Sequence, residues 1–252
     1  MFIIVCFILK FKTFALFVVY SVSGISWADL PEYTVKRTTE KIVIDGILDD
    51  ADWKAAQSVG DFKFPWLEQG EAEQTEVKML WDDTFLYISY RCDDKYIWAE
   101  HYDTNSTTYK DDCVEIFWDP NPADPKRKYN MFEINCIGNL LSVYVGSGEN
   151  IHQRISRIIP LHIAQTIQGT VNNDDDIDTG WIIEAAIRFS DYTELYDGST
   201  PVDGAMWRVG LNRLGGKTNQ QRSQWSPSQT EKPNFHRNQD FGKIFFSRKP
   251  VQ

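Results

Sequence analysis

Hydrophobic and polar residues alternate at every second position in many short runs of this chain. The runs are rich in aromatic and β-branched residues, and Gly, Asn, Asp or Pro separate them. Because successive side chains of a strand point to opposite faces of a sheet, this alternation predicts β-strands, whereas helical periodicity is scarce. Ten short strands predict an all-β fold, either a two-sheet sandwich or a barrel. The predicted strands are residues 41–45, 75–81, 85–92, 113–118, 129–136, 140–145, 163–168, 181–189, 207–214 and 243–246.

Helical structure is limited to short segments. A helix is predicted at residues 49–56, where acidic residues occupy the first turn and Trp53 is expected to pack on a sheet edge. One more helical turn is predicted at 191–195. Asp82 and Asp83 predict a tight turn between two of the strands, because Asp side chains hydrogen-bond to the nearby backbone.

The strand predicted at 113–118 carries a carboxylate between apolar neighbours. Val114, Ile116 and Trp118 point to one face of the sheet, whereas Glu115 and Phe117 point to the other. Burying an ionised Glu without a partner is costly. Glu115 is therefore expected to line a solvated groove, to pair with Arg or Lys, or to bind a ligand or a metal, and the strand alone leaves these alternatives open.

The first 28 residues have the features of a secretory signal peptide. Lys10 and Lys12 precede an apolar stretch at 13–25, and Ser26-Trp27-Ala28 has the small-x-small pattern of a cleavage site. An uncleaved anchor and a later translation start are the alternatives, but the apolar stretch is shorter than the roughly 20 residues of a membrane span. We expect one domain at 29–252 in an exported protein, periplasmic or extracellular, without membrane attachment after cleavage.

The charge balance argues against a nucleic-acid partner. The chain has 26 Lys and Arg against 36 Asp and Glu, and removing residues 1–28 leaves 24 against 36, a net charge of −12. Binding to phosphate backbones needs clustered Lys and Arg, which the sequence lacks.

Three cysteines follow the predicted signal peptide, namely Cys92, Cys113 and Cys136. One disulfide is consistent with an exported protein, but buried free thiols suit strand positions equally well, and the spacing identifies no pair. The sequence has no Cys-x-x-Cys or paired Cys/His spacing of a zinc site.

Aromatic residues are frequent, with 9 Trp, 11 Tyr and 15 Phe. Flat rings either fill a sandwich core or stack on sugar faces, and a ring in a loop beside polar groups favours the second role. Tyr109, Trp225 and Phe235 lie in predicted loops. The polar loop at 222–242 also contains His236, and it is either a binding loop or a surface loop held by two buried rings.

An acidic loop at 172–178 contains Asp174, Asp176 and Asp178. Calcium takes six to eight oxygen ligands of this kind. The loop lacks the central Gly and the closing Glu of an EF-hand, so a solvated hairpin tip is the alternative to a calcium site.

Catalytic signatures are absent from the sequence. Glu115 and Asp111 would lie about 13 Å apart on one strand, beyond the roughly 5 to 9.5 Å between glycosidase carboxylates. No nucleophile elbow, zinc-protease motif or phosphate loop occurs. Met206 and His236 are candidate haem ligands, but no Cys-x-x-Cys-His attachment site accompanies them. A glycoside hydrolase and a haem-binding electron carrier are the alternatives to a binding protein.

Several segments, taken in order, resemble the family 9 carbohydrate-binding modules and their free-standing exported relatives. The resemblance covers about residues 44–246. It lies in Ile44-Asp45-Gly46 with Trp53, Trp81-Asp82-Asp83 with Leu86-Tyr87, Asp112-Cys113-Val114-Glu115-Ile116-Phe117, the run from Tyr129 to Gly138, Gly180-Trp181 with Glu184, Trp207-Arg208-Val209 with Arg213, and Trp225-Ser226-Pro227 to Phe241-Gly242.

The resemblance implies a two-sheet antiparallel β-sandwich in which two aromatic rings clamp a terminal sugar, polar side chains bond its hydroxyls, and calcium supports the loops. Tyr109 and Phe235 match the clamp positions, where the best-known modules have Trp. Glu115 matches a carboxylate that contacts the ligand, and Glu133 stands where those modules have an Arg.

On this basis Arg213, Trp225 and His236 complete the expected site. The expected function is non-catalytic binding of an oligo- or polysaccharide of the xylan or glucan type, in support of polysaccharide breakdown. The protein is expected to act as a monomer, with calcium as a structural cofactor.

Overall fold

The computed structural model describes residues 30–124, 128–145, 154–156, 160–191 and 198–252. The predicted signal peptide lies outside these residues. The described part contains one short α-helix, α1 (Ala51–Ala55). Its strands are β1 (Glu32–Arg37), β2 (Thr75–Trp81), β3 (Phe85–Asp93), β4 (Cys113–Asp119), β5 (Tyr129–Asn135), β6 (Leu140–Val145), β7 (Arg154–Ser156), β8 (His162–Gln168), β9 (Gly180–Arg188), β10 (Met206–Leu214), β11 (Arg222–Gln224) and β12 (Gly242–Pro250).

Hydrogen bonds join the strands in the order β7-β6-β5-β4-β10-β12-β1-β2-β3-β9-β8, and β11 pairs with β10. Strand β1 runs parallel to β12 and to β2, and the other pairings of the described strands are antiparallel. The pairing of β1 with β2 involves only Lys36 with Leu80 and Arg37 with Trp81. Strand β1 is therefore a short link between two larger groups of strands.

The two groups of strands face each other across one hydrophobic core. Ile88 of β3 belongs to the same buried cluster as Ile116 of β4 and Leu211 of β10. The buried Tyr90 hydroxyl of β3 donates a hydrogen bond to the carbonyl oxygen of Glu115 on β4, at 3.0 Å. Strands this distant in the hydrogen-bonded order meet only if the sheet folds over on itself, so the predicted β-sandwich is confirmed.

Nine of the ten predicted strands are present, with ends within four residues of the prediction. The exception is 41–45, which is a loop, whereas the strands β1, β7 and β11 were not predicted. The helical turn predicted at 191–195 lies outside the described residues except for Asp191, which ends a 3-10 turn at Phe189–Asp191.

The segment 41–45 is a loop because its backbone bonds to a side chain instead of a neighbouring strand. The carboxylate of Glu184 on β9 accepts hydrogen bonds from the backbone N–H of Asp45 and Gly46, and from the indole N–H of Trp53 at 2.7 Å. Gly46 has a φ of +81°, and a Cβ there would lie 2.8 Å from backbone atoms of Gln165. This anchor explains Ile44-Asp45-Gly46, Trp53 and Glu184 as one structural unit.

The described residues contain no helix that is long and apolar enough to cross a membrane.

Candidate functional site

A row of polar side chains crosses the outer face of the sheet formed by β10, β4 and β5. The register aligns Asn212, Glu115 and Glu133 side by side. The amide of Asn212 donates a hydrogen bond to Glu115 Oε2 at 3.1 Å. Glu115 and Glu133 are each only 3% exposed. The strand alternation predicted for β4 is confirmed, because Val114, Ile116 and Trp118 lie in the core behind this row.

A cavity of about 370 Å³ opens over the two carboxylates. Such a volume is within the range of small-molecule sites. The cavity brings together five of the seven residues predicted as ligand contacts. Its lining consists of Tyr109, Glu115, Glu133, Leu214, Arg222, Pro233, Asn234, Phe235 and His236.

Tyr109 stands on the 3-10 turn Thr108–Lys110, which precedes β4. The buried carboxylate of Asp111 fixes this turn, since it accepts the backbone N–H of His101 and lies 2.8 Å from His101 Nδ1. The hydroxyl of Thr108 also donates to the carbonyl oxygen of Glu133, at 3.3 Å. The Tyr109 ring is 39% exposed. It is therefore an accessible flat surface at the edge of the cavity.

Phe235 occupies the opposite loop, and its ring is only 8% exposed. It belongs to the second hydrophobic cluster, which covers the outer face of β4, β5 and β6 and includes Phe117, Tyr129 and Phe241. Its ring centroid lies 5.7 Å from that of Trp66, at an interplanar angle of 47°. Phe235 thus lines the cavity and is also part of the packing that holds the loop.

His236 is positioned by two aromatic neighbours. Its ring stacks on Phe117 at a centroid distance of 5.1 Å, and its Nδ1 lies 2.9 Å from the Tyr129 hydroxyl. Met206 begins β10, whereas the cavity-lining Leu214 ends it, about 25 Å away at the usual rise of a strand. The structure therefore does not bring Met206 to the cavity that His236 lines, and the haem interpretation is not supported.

Arg213 is not a cavity residue, and this part of the predicted site is wrong. It alternates along β10 with Asn212 and Leu214, so its side chain points to the other face of the sheet. The guanidinium is fully buried, and it donates to the carbonyl oxygen of Asp93 at 2.7 Å and to Asp94 Oδ2 at 3.1 Å. Arg213 therefore stabilises the fold instead of contacting a ligand.

Trp225 is also a core residue, contrary to the prediction. It is 3% exposed, belongs to the main hydrophobic cluster, and donates its indole N–H to the carbonyl oxygen of Val59 at 2.9 Å. A Cβ at position 242 would lie 2.3 Å from this ring, so the glycine at 242 is a packing requirement.

Arg222 is an exposed residue at the cavity wall that was not predicted from the sequence. Its guanidinium makes no hydrogen bond or ion pair with the described residues. Arg222 lies on β11, which pairs with β10 next to the carboxylate row. Arg222 is exposed and the next residue, Ser223, is buried. The polar character of Arg222 at the start of the loop at 222–242 is the local feature from which its exposure could have been predicted.

The acidic loop does not fit a calcium ion. Asp178 is 7% exposed, and its two oxygens accept the backbone N–H groups of Thr170 at 2.7 Å and Ile97 at 2.8 Å. Asp174 and Asp176 are exposed. Within the described ranges, no three His, Cys, Asp or Glu side chains are grouped as metal ligands. The prediction of Asp174, Asp176 and Asp178 as a metal site is therefore wrong.

The three described cysteines are buried free thiols. Burial, and then the neighbouring charges of Glu133 and Glu115, raise the pKa of the Cys113 thiol well above its usual value. Cys113 is thus a neutral packing residue on the same face of β4 as Glu115.

Comparisons with known proteins agree with this fold. A structure from Bacteroides uniformis ATCC 8492 matches with a TM-score of 0.71 and 19% identity, over 86% of this chain and 99% of that one. A family 9 carbohydrate-binding module from Caldicellulosiruptor kristjanssonii in complex with cellotriose matches with a TM-score of 0.60 and 17% identity, over 86% and 95% of the two chains. The same organism's module in complex with glucose matches with a TM-score of 0.59 and 17% identity, over 87% and 98%.

No curated protein matches the sequence. The family model described as carbohydrate-binding family 9 matches residues 43–246, which is most of the chain. This family consists of non-catalytic binding modules. The chain therefore belongs to carbohydrate-binding family 9.

Proposed function

We propose that this protein binds a neutral glycan, without cleaving it, in the cavity between Tyr109 and Phe235. The observation that carries the proposal is the convergence of an exposed aromatic ring and two carboxylates on one opening of about 370 Å³. Tyr109 and Glu115 come from adjacent parts of the chain, whereas Glu133 and Phe235 come from a different strand and a distant loop.

The cavity has the chemistry that a pyranose requires. The C–H face of the sugar is apolar and stacks on a flat ring such as Tyr109. Its hydroxyls are hydrogen-bond donors, and a bond to Glu115 or Glu133 is charge-assisted and therefore stronger than a bond between neutral groups. Two carboxylates in this position would repel the negative charge of a uronic acid, which favours a neutral sugar.

The structural neighbours in complex with cellotriose and glucose support a glucan-type ligand, and a xylan-type ligand presents the same pyranose faces. The N-terminal features of residues 1–28 support export to the periplasm or the extracellular space. We infer that the mature chain acts as a monomeric accessory to polysaccharide breakdown. A structural calcium ion is proposed from the family resemblance alone, since no three metal-ligating side chains are grouped among the described residues, and a fall in melting temperature on adding EDTA tests it.

Calorimetric titration of the purified mature chain with glucose, cellotriose and xylotriose tests the binding proposal. Micromolar to millimolar affinity is expected, because a few stacking contacts and hydrogen bonds must offset desolvation and ordering. The Tyr109→Ala variant is expected to bind at least tenfold more weakly. Tyr102→Ala is the matched control, since Tyr102 is a 63% exposed tyrosine of the preceding loop that does not line the cavity. Equal affinities for Tyr109→Ala and the wild-type chain would contradict the site.

A further inference from the structure

A second cavity of about 240 Å³ adjoins the first across Arg222, which lines both. Its other walls include Trp66, Gln69, Gln220 and Gln221. Amide side chains beside an aromatic ring form a lining that is suited to a sugar residue. The amides of Gln69 and Gln220 are exposed and make no side-chain hydrogen bond to the described residues, so they are available to a ligand.

The walls of this second cavity are held in place by contacts between distant segments. Lys63 and Gln224 exchange two backbone hydrogen bonds, at 2.8 and 3.0 Å, which attach the Trp66 segment to β11. Gln221 donates to Glu73 Oε2 at 2.7 Å and accepts the backbone N–H of Glu73 at 3.3 Å. The backbone of the cavity walls is fixed in this way, so the loss of freedom on ligand binding is confined to exposed side chains such as Gln69 and Gln220.

The plane of Trp66 is fixed as well. Its indole N–H donates to the carbonyl oxygen of Thr230 at 2.8 Å, and one side of its ring contacts Phe235. The ring is half-buried. Since Phe235 lines the first cavity, Trp66 and Phe235 are adjoining walls of two neighbouring compartments.

We propose that the second cavity is a subsite for the next sugar residue of the bound glycan, with Trp66 as its stacking surface and Gln69, Gln220 and Arg222 as hydrogen-bond partners. The inference rests on the proposed function, because it takes the first sugar to lie over Glu115 and Glu133. It assigns the protein to oligosaccharide chains of at least two residues instead of monosaccharides.

The test compares glucose with cellotriose by calorimetric titration. The wild-type chain is expected to bind cellotriose at least tenfold more tightly than glucose, since one stacked residue with its hydrogen bonds contributes about 1.4 kcal/mol or more. The double variant Gln69→Ala/Gln220→Ala is expected to reduce this ratio below threefold with glucose affinity unchanged. Both residues are exposed, so their replacement leaves the fold intact.

The Trp66→Phe variant tests the ring separately. Phenylalanine keeps an aromatic support for Phe235 but loses ring area and the bond to Thr230, so it should reduce cellotriose affinity more than glucose affinity. For the Gln69→Ala/Gln220→Ala variant, Gln229→Ala is the matched control, because Gln229 is an exposed glutamine that lines neither cavity.

The outcomes separate the two proposals. Equal wild-type affinity for glucose and cellotriose, or an unchanged ratio in both variants, would refute the second subsite and leave the first cavity as the binding site. Binding of none of glucose, cellotriose and xylotriose by the wild-type chain would refute both.

Discussion

Glu115 and Glu133 lie directly opposite each other on the antiparallel strands β4 and β5, and both are buried. Opposite residues of such a pair have Cβ atoms about 4.5–5.5 Å apart, and like charges at this distance destabilise a sheet. The amide of Asn212 satisfies one oxygen of Glu115. A ligand that donates hydroxyl hydrogens to both carboxylates would relieve the repulsion. This arrangement favours ligand binding over the stability of the free protein.

Glu133→Gln is therefore expected to stabilise the free protein and weaken glycan binding. Removal of one charge should raise the free energy of unfolding by about 0.5–1 kcal/mol. Loss of a charge-assisted hydrogen bond should weaken cellotriose binding about tenfold. Urea denaturation and calorimetric titration measure the two effects. Glu76→Gln, an exposed position on β2, is the control and should change neither. A less stable Glu133→Gln variant with unchanged affinity would contradict this account.

Phe235→Ala is expected to reduce both stability and binding, because Phe235 is part of the second hydrophobic cluster as well as the cavity wall. Loss of the buried ring should lower the free energy of unfolding by about 3 kcal/mol. Phe235→Leu separates the two roles, since it fills most of the volume without presenting a flat ring. The Phe235→Leu variant should lower the free energy of unfolding by less than about 1.5 kcal/mol. It should still bind cellotriose several-fold more weakly than the wild-type chain. Full affinity in the Leu variant would show that the ring does not contact the ligand.

Glu184→Gln is expected to destabilise the protein by about 1–3 kcal/mol, because one Glu carboxylate accepts three hydrogen bonds from Asp45, Gly46 and Trp53. The amide nitrogen of Gln cannot accept, so at least one buried donor loses its partner. Burial raises the pKa of Glu184, with the bonds to Trp53 and Gly46 opposing the shift. Urea denaturation measures the loss, and Trp53→Phe should reproduce part of it. Cellotriose affinity should stay unchanged in both variants, since the anchor is outside the cavity.

The alternation along β4 allowed the two faces of the sheet to be predicted, and with them the position of Glu115 on the face opposite the core. The pattern is local, and burial of Val114, Ile116 and Trp118 in the core enforces it. The same pattern could not assign Glu133 and Glu115 to neighbouring strands, because pairing between strands depends on the register of the whole sheet.

Arg213 shows why the rest of the site could not be predicted. Val209, Leu211 and Arg213 occupy alternate positions, which places Arg213 on the core face of β10. Its partner Asp94 is 119 residues away in the sequence, so the contact that occupies the guanidinium could not be predicted. Trp66 and Arg222 line one cavity because the backbone of Lys63 pairs with that of Gln224, and this contact between distant segments is not visible in the sequence. Contacts between distant segments thus determine which polar residues are available to a ligand.

Asp112 is expected to make the stability of the protein depend on pH. Burial, and then the charge of Asp94, raise the pKa of Asp112 from its usual 3.8 to about 8, against the opposing effects of Arg213 and of backbone N–H bonds from Gly216 and Trp98. The folded state therefore keeps this proton at pH values where the unfolded chain has lost it. Its contribution to stability is complete below about pH 4 and is lost as the pH rises through about 8.

The free energy of unfolding should thus fall between pH 5 and pH 8, and Asp112→Asn should reduce this slope. Asn accepts only one of the bonds from the backbone N–H groups of Trp98 and Gly216, so the variant is less stable at both pH values. The difference in the free energy of unfolding between the two pH values still measures the titration of residue 112. Urea denaturation at the two pH values measures it. Asp174→Asn, an exposed loop position, should keep the wild-type slope. If Asp112→Asn also kept that slope, a group other than Asp112 would cause the pH dependence.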